Sequence, residues 1–146
     1  YRAEVIPKFV MRVLAGLQPV IFGTGQQTRD FTWVEDTARG IIMAAECDEL
    51  VGDTVNIARG QEVSIERICQ LVLETLGDNN LKPLYLEDDR PGDVERHCAD
   101  ISKAQSLLGY SPEVDIESGI ARYIEWLQTQ RFDIGDWVEQ ERVRNW

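Results

Sequence analysis

Two arginines next to turn-forming residues are the strongest candidates for chemistry in this sequence. Arg29 lies between a glycine-rich stretch at 23–28, G-T-G-Q-Q-T, and the start of a predicted helix. Arg90 lies in an acidic run at 87–93 and directly precedes a Pro-Gly turn, whose stiff backbone would preorganise the guanidinium. A guanidinium presents a planar fork of donors that matches phosphate oxygens. Two converging arginines could therefore hold a diphosphate.

Each arginine also has a simpler interpretation. The residues around Arg29 could form an ordinary hairpin-like turn, and Arg90 could neutralise acidic neighbours such as Asp93 on a solvated surface. The stretch at 23–28 resembles the start of a dinucleotide-binding loop. It lacks the third glycine, however, and a strand pattern rather than a helix follows it. We therefore predict no cofactor site in this loop.

Composition limits the classes of function. The chain has 146 residues, of which 43% are hydrophobic, which is enough for a real core. A net charge of -11 disfavours nonspecific attraction to nucleic acid or to an anionic membrane. No apolar run approaches the roughly 18 residues that would predict a membrane span. The three cysteines show no C-x-x-C spacing, so they indicate neither a metal site nor a disulfide framework and fit a reducing cytoplasm.

The hydrophobic patterns predict an α/β fold with a small mixed sheet and packed helices. Ser64 and Asp100 are predicted to cap helices, Gly77 and Gly109 to end them, and Cys69 to lie in the core. The predicted strands cover residues 20–22, 30–33, 54–57 and 84–86, and the predicted helices cover residues 6–14, 34–46, 64–76, 100–108 and 116–127.

The two ends of the sequence suggest a larger context. A helix pattern follows Tyr1 almost at once, which suggests a segment of a longer protein. We assign residues 1–130 to one lobe and residues 131–146 to a helical tail of acidic and aromatic residues. The aromatic residues of the tail could form a partner surface or pack against their own domain.

A series of short motifs occurs along the chain in a fixed order. The motifs are V-I-P-x-F at 5–9, P-V-I-F-G-x-G at 19–25, T-R-D-F-x-x-V-x-D at 28–36, V-N-I-A at 55–58, R-P-G-D at 90–93, A-D-I-S-K-A at 99–104 and L-L-G-Y-S-P at 107–112. In this order the series resembles the C-terminal, substrate-binding part of the extended short-chain dehydrogenases/reductases, the NAD-dependent nucleotide-sugar epimerases and dehydratases, and is UDP-glucose 4-epimerase-like.

The resemblance implies that the chain is the C-terminal lobe of such an enzyme, without its Rossmann domain, and that it carries the nucleotide half of the substrate site. The backbone of Val20, Ile21 and Phe22 would contact the pyrimidine base. Arg29 and Arg90 would bind the diphosphate of a UDP- or dTDP-hexose.

The same resemblance implies roles for two residues near the second arginine. Asp93 would lie by the ribose or orient Arg90. His97, the only histidine, would border the sugar pocket, where its size favours a plain hexose over an N-acetylated sugar. Judged without the resemblance, a lone histidine is more often a surface or packing residue. The turn R-P-G-D at 90–93 resembles the epimerases and related decarboxylases more than the dehydratases.

The family's catalytic Tyr-x-x-x-Lys pair is absent from this sequence. The only lysines are Lys8, Lys82 and Lys103, and none has a tyrosine four residues before it. We therefore expect no catalytic residue and no cofactor in this chain, an NAD requirement in the parent enzyme, and no activity of the chain alone. The competing hypothesis is a stand-alone binding or oligomerisation module that self-associates through the face left by the missing Rossmann domain.

Overall fold

Helices and short strands alternate along the chain. A computed structural model describes residues 4–78, 80–87, 92–130 and 133–141. Two compact units are present: unit 1 comprises residues 1–27, 64–93 and 120–146, and unit 2 comprises residues 28–63 and 94–119. The described elements are α1 (Val5–Leu14), β1 (Val20–Phe22), β2 (Thr28–Asp30), α2 (Val34–Ala45), a 3₁₀ turn (Asp48–Leu50), β3 (Glu62–Ser64), α3 (Ile65–Leu76), β4 (Leu84–Leu86), β5 (Arg96–His97), α4 (Ser102–Leu108), α5 (Ile116–Thr129) and α6 (Ile134–Glu141).

Unit 1 is built around the packing of α1 on α3. Apolar side chains recur at helical spacing on both helices, so each presents one apolar face. Cys69 on α3 is fully buried, which confirms its predicted place in the core, and burial raises the pKa of its thiol to about 11. Other side chains of α1 and α3 with at most 2% exposure include Phe9, Val10, Ile68 and Val72.

The ends of α3 follow from local chemistry. The Ser64 hydroxyl accepts a hydrogen bond from the Arg67 backbone N–H at 3.1 Å, which satisfies one of the unpaired donors of the first turn. Gly77 follows the last turn with φ +69, a conformation that favours glycine. Both predicted ends of this helix are confirmed.

The predicted strands at 20–22 and 84–86 are confirmed as β1 and β4. They form a parallel two-stranded sheet in which Val20 pairs with Leu84 and Phe22 pairs with Leu86. Ile21 in the centre of β1 is only 1% exposed, so its side chain anchors the strand in unit 1.

Most of α5, from Ile120 onwards, and all of α6 belong to unit 1. Ile120, Ile124 and Leu127 of α5 are buried at the predicted helical spacing. Part of the tail forms α6, which packs against α1 and so contacts its own unit. The proposed division at residue 130 stays a prediction.

Unit 2 contains a three-stranded sheet in the order β3-β2-β5. β2 and β5 are parallel, with Thr28 opposite Arg96 and Arg29 opposite His97. α2 packs against α4. Gly40 on α2 lies close to Ile57 and Tyr110: an added Cβ would overlap the Ile57 side chain and lie 3.0 Å from the ring of Tyr110. The α/β class with small sheets is thus confirmed, and its strands form two separate sheets.

The strand predicted at 30–33 is displaced: β2 lies earlier, at Thr28–Asp30, and shares only Asp30 with the prediction. β5 pairs with β2 only as far as Arg29, and the carboxylate of Asp30 is bound by loop amides, so the chain leaves the sheet before Phe31. Trp33 is the residue before α2 rather than part of a strand. The aromatic alternation that predicted the strand therefore belongs to a connection.

The strand predicted at 54–57 is also wrong in the described fold. These residues have no assigned secondary structure, because no described strand pairs with them. The predicted cap of α4 at Asp100 is displaced by one position, because Ile101 is the residue that precedes the helix. The Asp100 carboxylate nevertheless accepts a hydrogen bond from the Ser102 N–H, the first residue of α4, at 2.9 Å. Among the described helices, none has the length and apolar composition needed to cross a bilayer.

Candidate functional site

The sheet of unit 2 brings two predicted site residues together. Arg29 on β2 and His97 on β5 are partners in a parallel register. Side chains of paired residues in neighbouring strands project from the same face of a sheet, so the guanidinium and the imidazole share one face. Arg29 is half-buried and donates a hydrogen bond from Nη1 to the Thr28 carbonyl oxygen, whereas His97 is exposed. This face therefore carries a cation and a second nitrogen donor side by side.

The opposite face of the same sheet holds a separate ionic cluster. Thr28 donates a hydrogen bond to Glu62 Oε1 at 2.7 Å, and Arg96 donates to the same carboxylate through Nε at 3.1 Å and through Nη2. The hydrogen bonds from Arg96 and then Thr28 lower the pKa of Glu62 to about 2. Glu62 on β3 thus binds Thr28 on β2 and Arg96 on β5 across the three strands.

Asp30 connects the end of β2 to two loops. Its carboxylate accepts hydrogen bonds from the backbone N–H groups of Arg59 at 3.2 Å, Gly60 at 2.9 Å and Ala99 at 3.3 Å. Gly60 has φ +75, and a Cβ at this position would come within 2.9 Å of Ile101, so the loop approaches closely. Asp30 therefore holds in place the chain that immediately follows His97. Sequence reasoning missed this role, since only its position directly after Arg29 hinted at it.

A second carboxylate, Asp36, connects α2 to the segment before α5. It is 3% exposed and accepts hydrogen bonds from the N–H groups of Glu113 and Val114, both at 3.0 Å, and from Arg39. Burial by itself would raise the pKa of Asp36, but the hydrogen bonds from Val114, Arg39 and Glu113 outweigh it and lower that pKa. Asp36 therefore holds α2 to the segment before α5, a role that helical spacing alone does not predict.

The backbone of β1 in unit 1 is the predicted contact for the base. Leu84 donates its N–H to the Pro19 carbonyl, and Gly23 donates its N–H to the Leu86 carbonyl, both at 2.8 Å. Peptide groups alternate along an extended strand, so the polar backbone groups of Val20 and Phe22 face away from β4.

The three residues of β1 differ in which of their backbone groups are available at the edge opposite β4. The Ile21 side chain is buried and its peptide groups face β4. The Phe22 carbonyl accepts a hydrogen bond from Gln27 Nε2 at 3.0 Å. Val20 accordingly presents backbone groups at the edge opposite β4.

The glycine-rich turn after β1 is held by one carboxylate. Glu66 accepts hydrogen bonds from Gln26 Nε2 at 2.8 Å and from the Tyr85 hydroxyl at 2.7 Å. The hydrogen bond to Glu66 is the main reason that the pKa of Tyr85 is raised to about 12. Gly25 has φ +75 and packs closely against Ile21 and Glu66. The turn leads into β2, which confirms that a strand rather than a helix follows this loop.

The remaining predicted site residues lie near the turn at 90–93. Arg90 lies outside the described residues, so its role in binding diphosphate stays a prediction. Asp93 is exposed and follows Gly92, whose φ is +78. Within the described parts of the chain, no group of three or more histidine, cysteine or acidic side chains is arranged to hold a metal ion.

Comparison with known proteins identifies the family. The family model described as GDP-mannose 4,6 dehydratase matches residues 1–123. A UDP-glucuronate 4-epimerase of Thermodesulfobacterium geofontis is 41% identical over 107 residues, which are 73% of this chain and 32% of that protein.

Solved structures agree with this assignment. The UDP-glucose 4-epimerase of Thermotoga maritima with UDP-glucose has a TM-score of 0.79 and 30% identity, over 88% of this chain and 40% of that one. The UDP-glucuronic acid 4-epimerase of Bacillus cereus in complex with UDP-glucuronic acid and NAD has a TM-score of 0.76 and 33% identity, over 85% of this chain and 40% of that one. The chain thus spans about two-fifths or less of the proteins that it matches. It belongs to the GDP-mannose 4,6-dehydratase family and has the fold of the C-terminal lobe of the nucleotide-sugar epimerases.

Proposed function

We propose that this chain is the nucleotide-sugar-binding segment of an NAD-dependent epimerase or dehydratase. The observation that carries the proposal is the in-register pairing of Arg29 with His97 on one face of the unit 2 sheet. The pairing supports the proposal, because a guanidinium can bind phosphate and the exposed side chain beside it can contact a sugar. The substrate class is a UDP- or dTDP-hexose.

The backbone groups of Val20 and Phe22 that face away from β4 bind the pyrimidine base, for which Ile21 provides the rigid support. Arg29 binds the diphosphate, and a hydrogen bond between charged groups of this kind contributes about 1.5–3 kcal/mol. His97 contacts the sugar.

Arg90 and Asp93 complete the proposed contacts. Arg90 adds a second cation for the diphosphate, and Asp93 lies by the ribose or orients Arg90. A second guanidinium would offset the charge of a diphosphate, which the chain's overall charge of -11 repels.

Catalysis itself belongs to the longer protein in this proposal. NAD, bound outside this chain, would accept a hydride from the sugar and return it. The residues of this chain hold the nucleotide while the acid/base pair, also outside it, moves the proton. The chain alone is therefore inactive, and we place it in the cytoplasm, where its three cysteines stay reduced.

The test is a calorimetric titration of the purified chain with UDP, UDP-glucose and dTDP. We expect saturable binding with a Kd on the order of 1 mM, equivalent to about -4 kcal/mol. Arg29→Ala should weaken binding about tenfold to hundredfold, because it removes a charge-assisted contact of about 1.5–3 kcal/mol. The order of affinities among the three ligands would identify the nucleotide.

Arg96→Ala is the matched control. Arg96 lies on β5, the strand that pairs with the strand of Arg29, and its side chain binds Glu62 on the other face of the sheet. It should leave nucleotide affinity unchanged, and circular dichroism should show that both variants are folded. Equal affinities of the Arg29→Ala variant and the unmodified chain would refute the assignment of the diphosphate to Arg29. Equal losses in both variants would point to general charge instead of a specific site.

A further inference from the structure

We infer that Asp30 is a positioning residue of the candidate site, which fixes the imidazole of His97 beside Arg29 from the opposite face of the unit 2 sheet. The inference rests on the proposed function only in assigning His97 to the sugar. Asp30 itself touches no ligand in this arrangement. It acts through the backbone of the residues that follow His97.

The strand that carries His97 is too short to fix this side chain by itself. β5 contains only two residues, Arg96 and His97, and its register with β2 ends at the pair of Arg29 and His97. Ordering a residue costs conformational entropy, which the few ladder hydrogen bonds of so short a strand offset poorly. The orientation of His97 therefore depends on what holds the chain after it.

Asp30 holds that part of the chain. Its side chain points away from the Arg29 face, because side chains alternate along β2. Asp30 Oδ2 accepts a hydrogen bond from the N–H of Ala99 at 3.3 Å, and Cys98 Sγ donates to the same oxygen at 3.9 Å. One oxygen thus connects the two residues after His97 to the end of β2, the strand that carries Arg29.

The carboxylate is itself held by the loop at 59–60. The backbone N–H of Arg59 donates to Asp30 Oδ1 at 3.2 Å, and that of Gly60 donates to Oδ2 at 2.9 Å. This loop has contacts of its own, since Arg59 donates from Nη1 to the Val114 carbonyl oxygen at 2.7 Å and Gly60 lies close against Ile101. The carboxylate therefore cannot turn without losing one of its hydrogen bonds.

The groups that face Asp30 require a carboxylate. The backbone groups of Arg59, Gly60 and Ala99 are all N–H donors, and an ionised carboxyl group accepts with both of its oxygens. Hydrogen bonds to a charged acceptor are also roughly twice as strong as those between neutral groups. Alanine at this position would remove the acceptor of all three groups. It should therefore loosen His97 without removing any contact to the ligand.

The direct test measures the mobility of the His97 amide by nitrogen NMR relaxation in the nucleotide-free chain. We expect its order parameter to fall from about 0.85, the value of rigid backbone, to below about 0.6 in Asp30→Ala. Ala99→Pro is a second variant, which removes the N–H that binds Asp30 and should loosen His97 as well. Asp36→Ala is the matched control, because Asp36 binds other backbone N–H groups of unit 2, and it should leave His97 rigid.

The second measurement is a calorimetric titration with UDP-glucose and with UDP, which lacks the sugar. Asp30→Ala and His97→Ala should each weaken binding of UDP-glucose about two- to tenfold, as the loss of one neutral hydrogen bond does, and should leave binding of UDP unchanged. The double variant should lose no more affinity than His97→Ala alone, because Asp30 acts through His97. A general structural role of Asp30 would weaken UDP as well and would make the two losses additive.

An unchanged order parameter of His97 in a folded Asp30→Ala or Ala99→Pro variant would overturn the inference, as would additive losses in the double variant. Unfolding of both variants, seen by circular dichroism, would assign Asp30 to folding stability and would overturn it too. No binding of either ligand by the unmodified chain would refute the proposed function instead. The order parameter of His97, which needs no nucleotide, would then decide the inference alone.

Discussion

Replacing Asp36 with alanine should destabilise unit 2 more than replacing any exposed charged residue with alanine. The carboxylate is 3% exposed and accepts hydrogen bonds from the N–H groups of Glu113 and Val114, which lie 77 and 78 residues further along the chain. Truncation removes the acceptor for both groups and leaves them in a partly buried position. These two hydrogen bonds link distant parts of the chain within unit 2, so their loss should lower the stability of the whole unit.

The magnitude follows from the two hydrogen bonds. Each bond to a charged acceptor contributes about 1.5–3 kcal/mol, which gives a gross loss of about 3–6 kcal/mol. Water entering the vacated space recovers part of this loss, so we expect the free energy of unfolding to fall by about 3 kcal/mol. With a slope of about 1.5 kcal/mol per molar urea, the midpoint of unfolding would shift by about 2 M.

The assay is urea unfolding followed by circular dichroism, with Asp53→Ala as the control. Asp53 also pairs with a cation, Lys103, but its side chain is 53% exposed, so its removal should have little effect. A loss below about 1 kcal/mol for Asp36→Ala would refute the reasoning. It would mean that the two N–H groups find other partners as good as the carboxylate.

Three further substitutions test the pH dependence, packing and helix ends of the fold. Hydrogen bonds, chiefly from Arg96, lower the pKa of Glu62 from 4.5 to about 2. The stability that the ionised Glu62 contributes should therefore be complete above pH 4.5 and disappear as the pH falls towards 2. Glu62→Gln should remove this pH dependence from the free energy of unfolding measured in acid titrations. Gly40→Ala should cost about 1–3 kcal/mol in thermal unfolding through overlap with Ile57, whereas Gly119→Ala, whose nearest neighbour would be 3.5 Å away, should not destabilise. Ser64→Ala should cost about 1 kcal/mol by removing the cap of α3, and an unchanged urea midpoint would contradict that role.

The sequence predicted the parts of the candidate site unevenly. Arg29 and His97 were both selected, but only the parallel register places them on one face, because they are 68 positions apart in the chain. Arg96 was missed, since its role depends on Glu62 from a third strand. Alternation along β2 and β5 would have assigned these side chains to opposite faces once the register was known.

What the sequence determined by itself is local. The cap at Ser64, the left-handed glycine at Gly77 and the apolar face of α3 depend on residues within about four positions of one another, so their spacing is sufficient to predict them. The strands β1 and β4 were also recognisable from short runs of apolar and aromatic residues. The ordered motifs identified the family because each keeps its place along the chain.

Tertiary structure decided which segments are strands and which charges are structural. Residues 54–57 have a strand composition but no strand partner among the described residues, whereas β2 forms at 28–30 because β5 and β3 are available beside it. A strand needs hydrogen bonds from another segment, and a buried carboxylate such as Asp36 needs donors, which distant residues supply. Neither requirement can be read from residues that are neighbours in sequence, so the sheet edges and internal anchors emerged only from the folded chain.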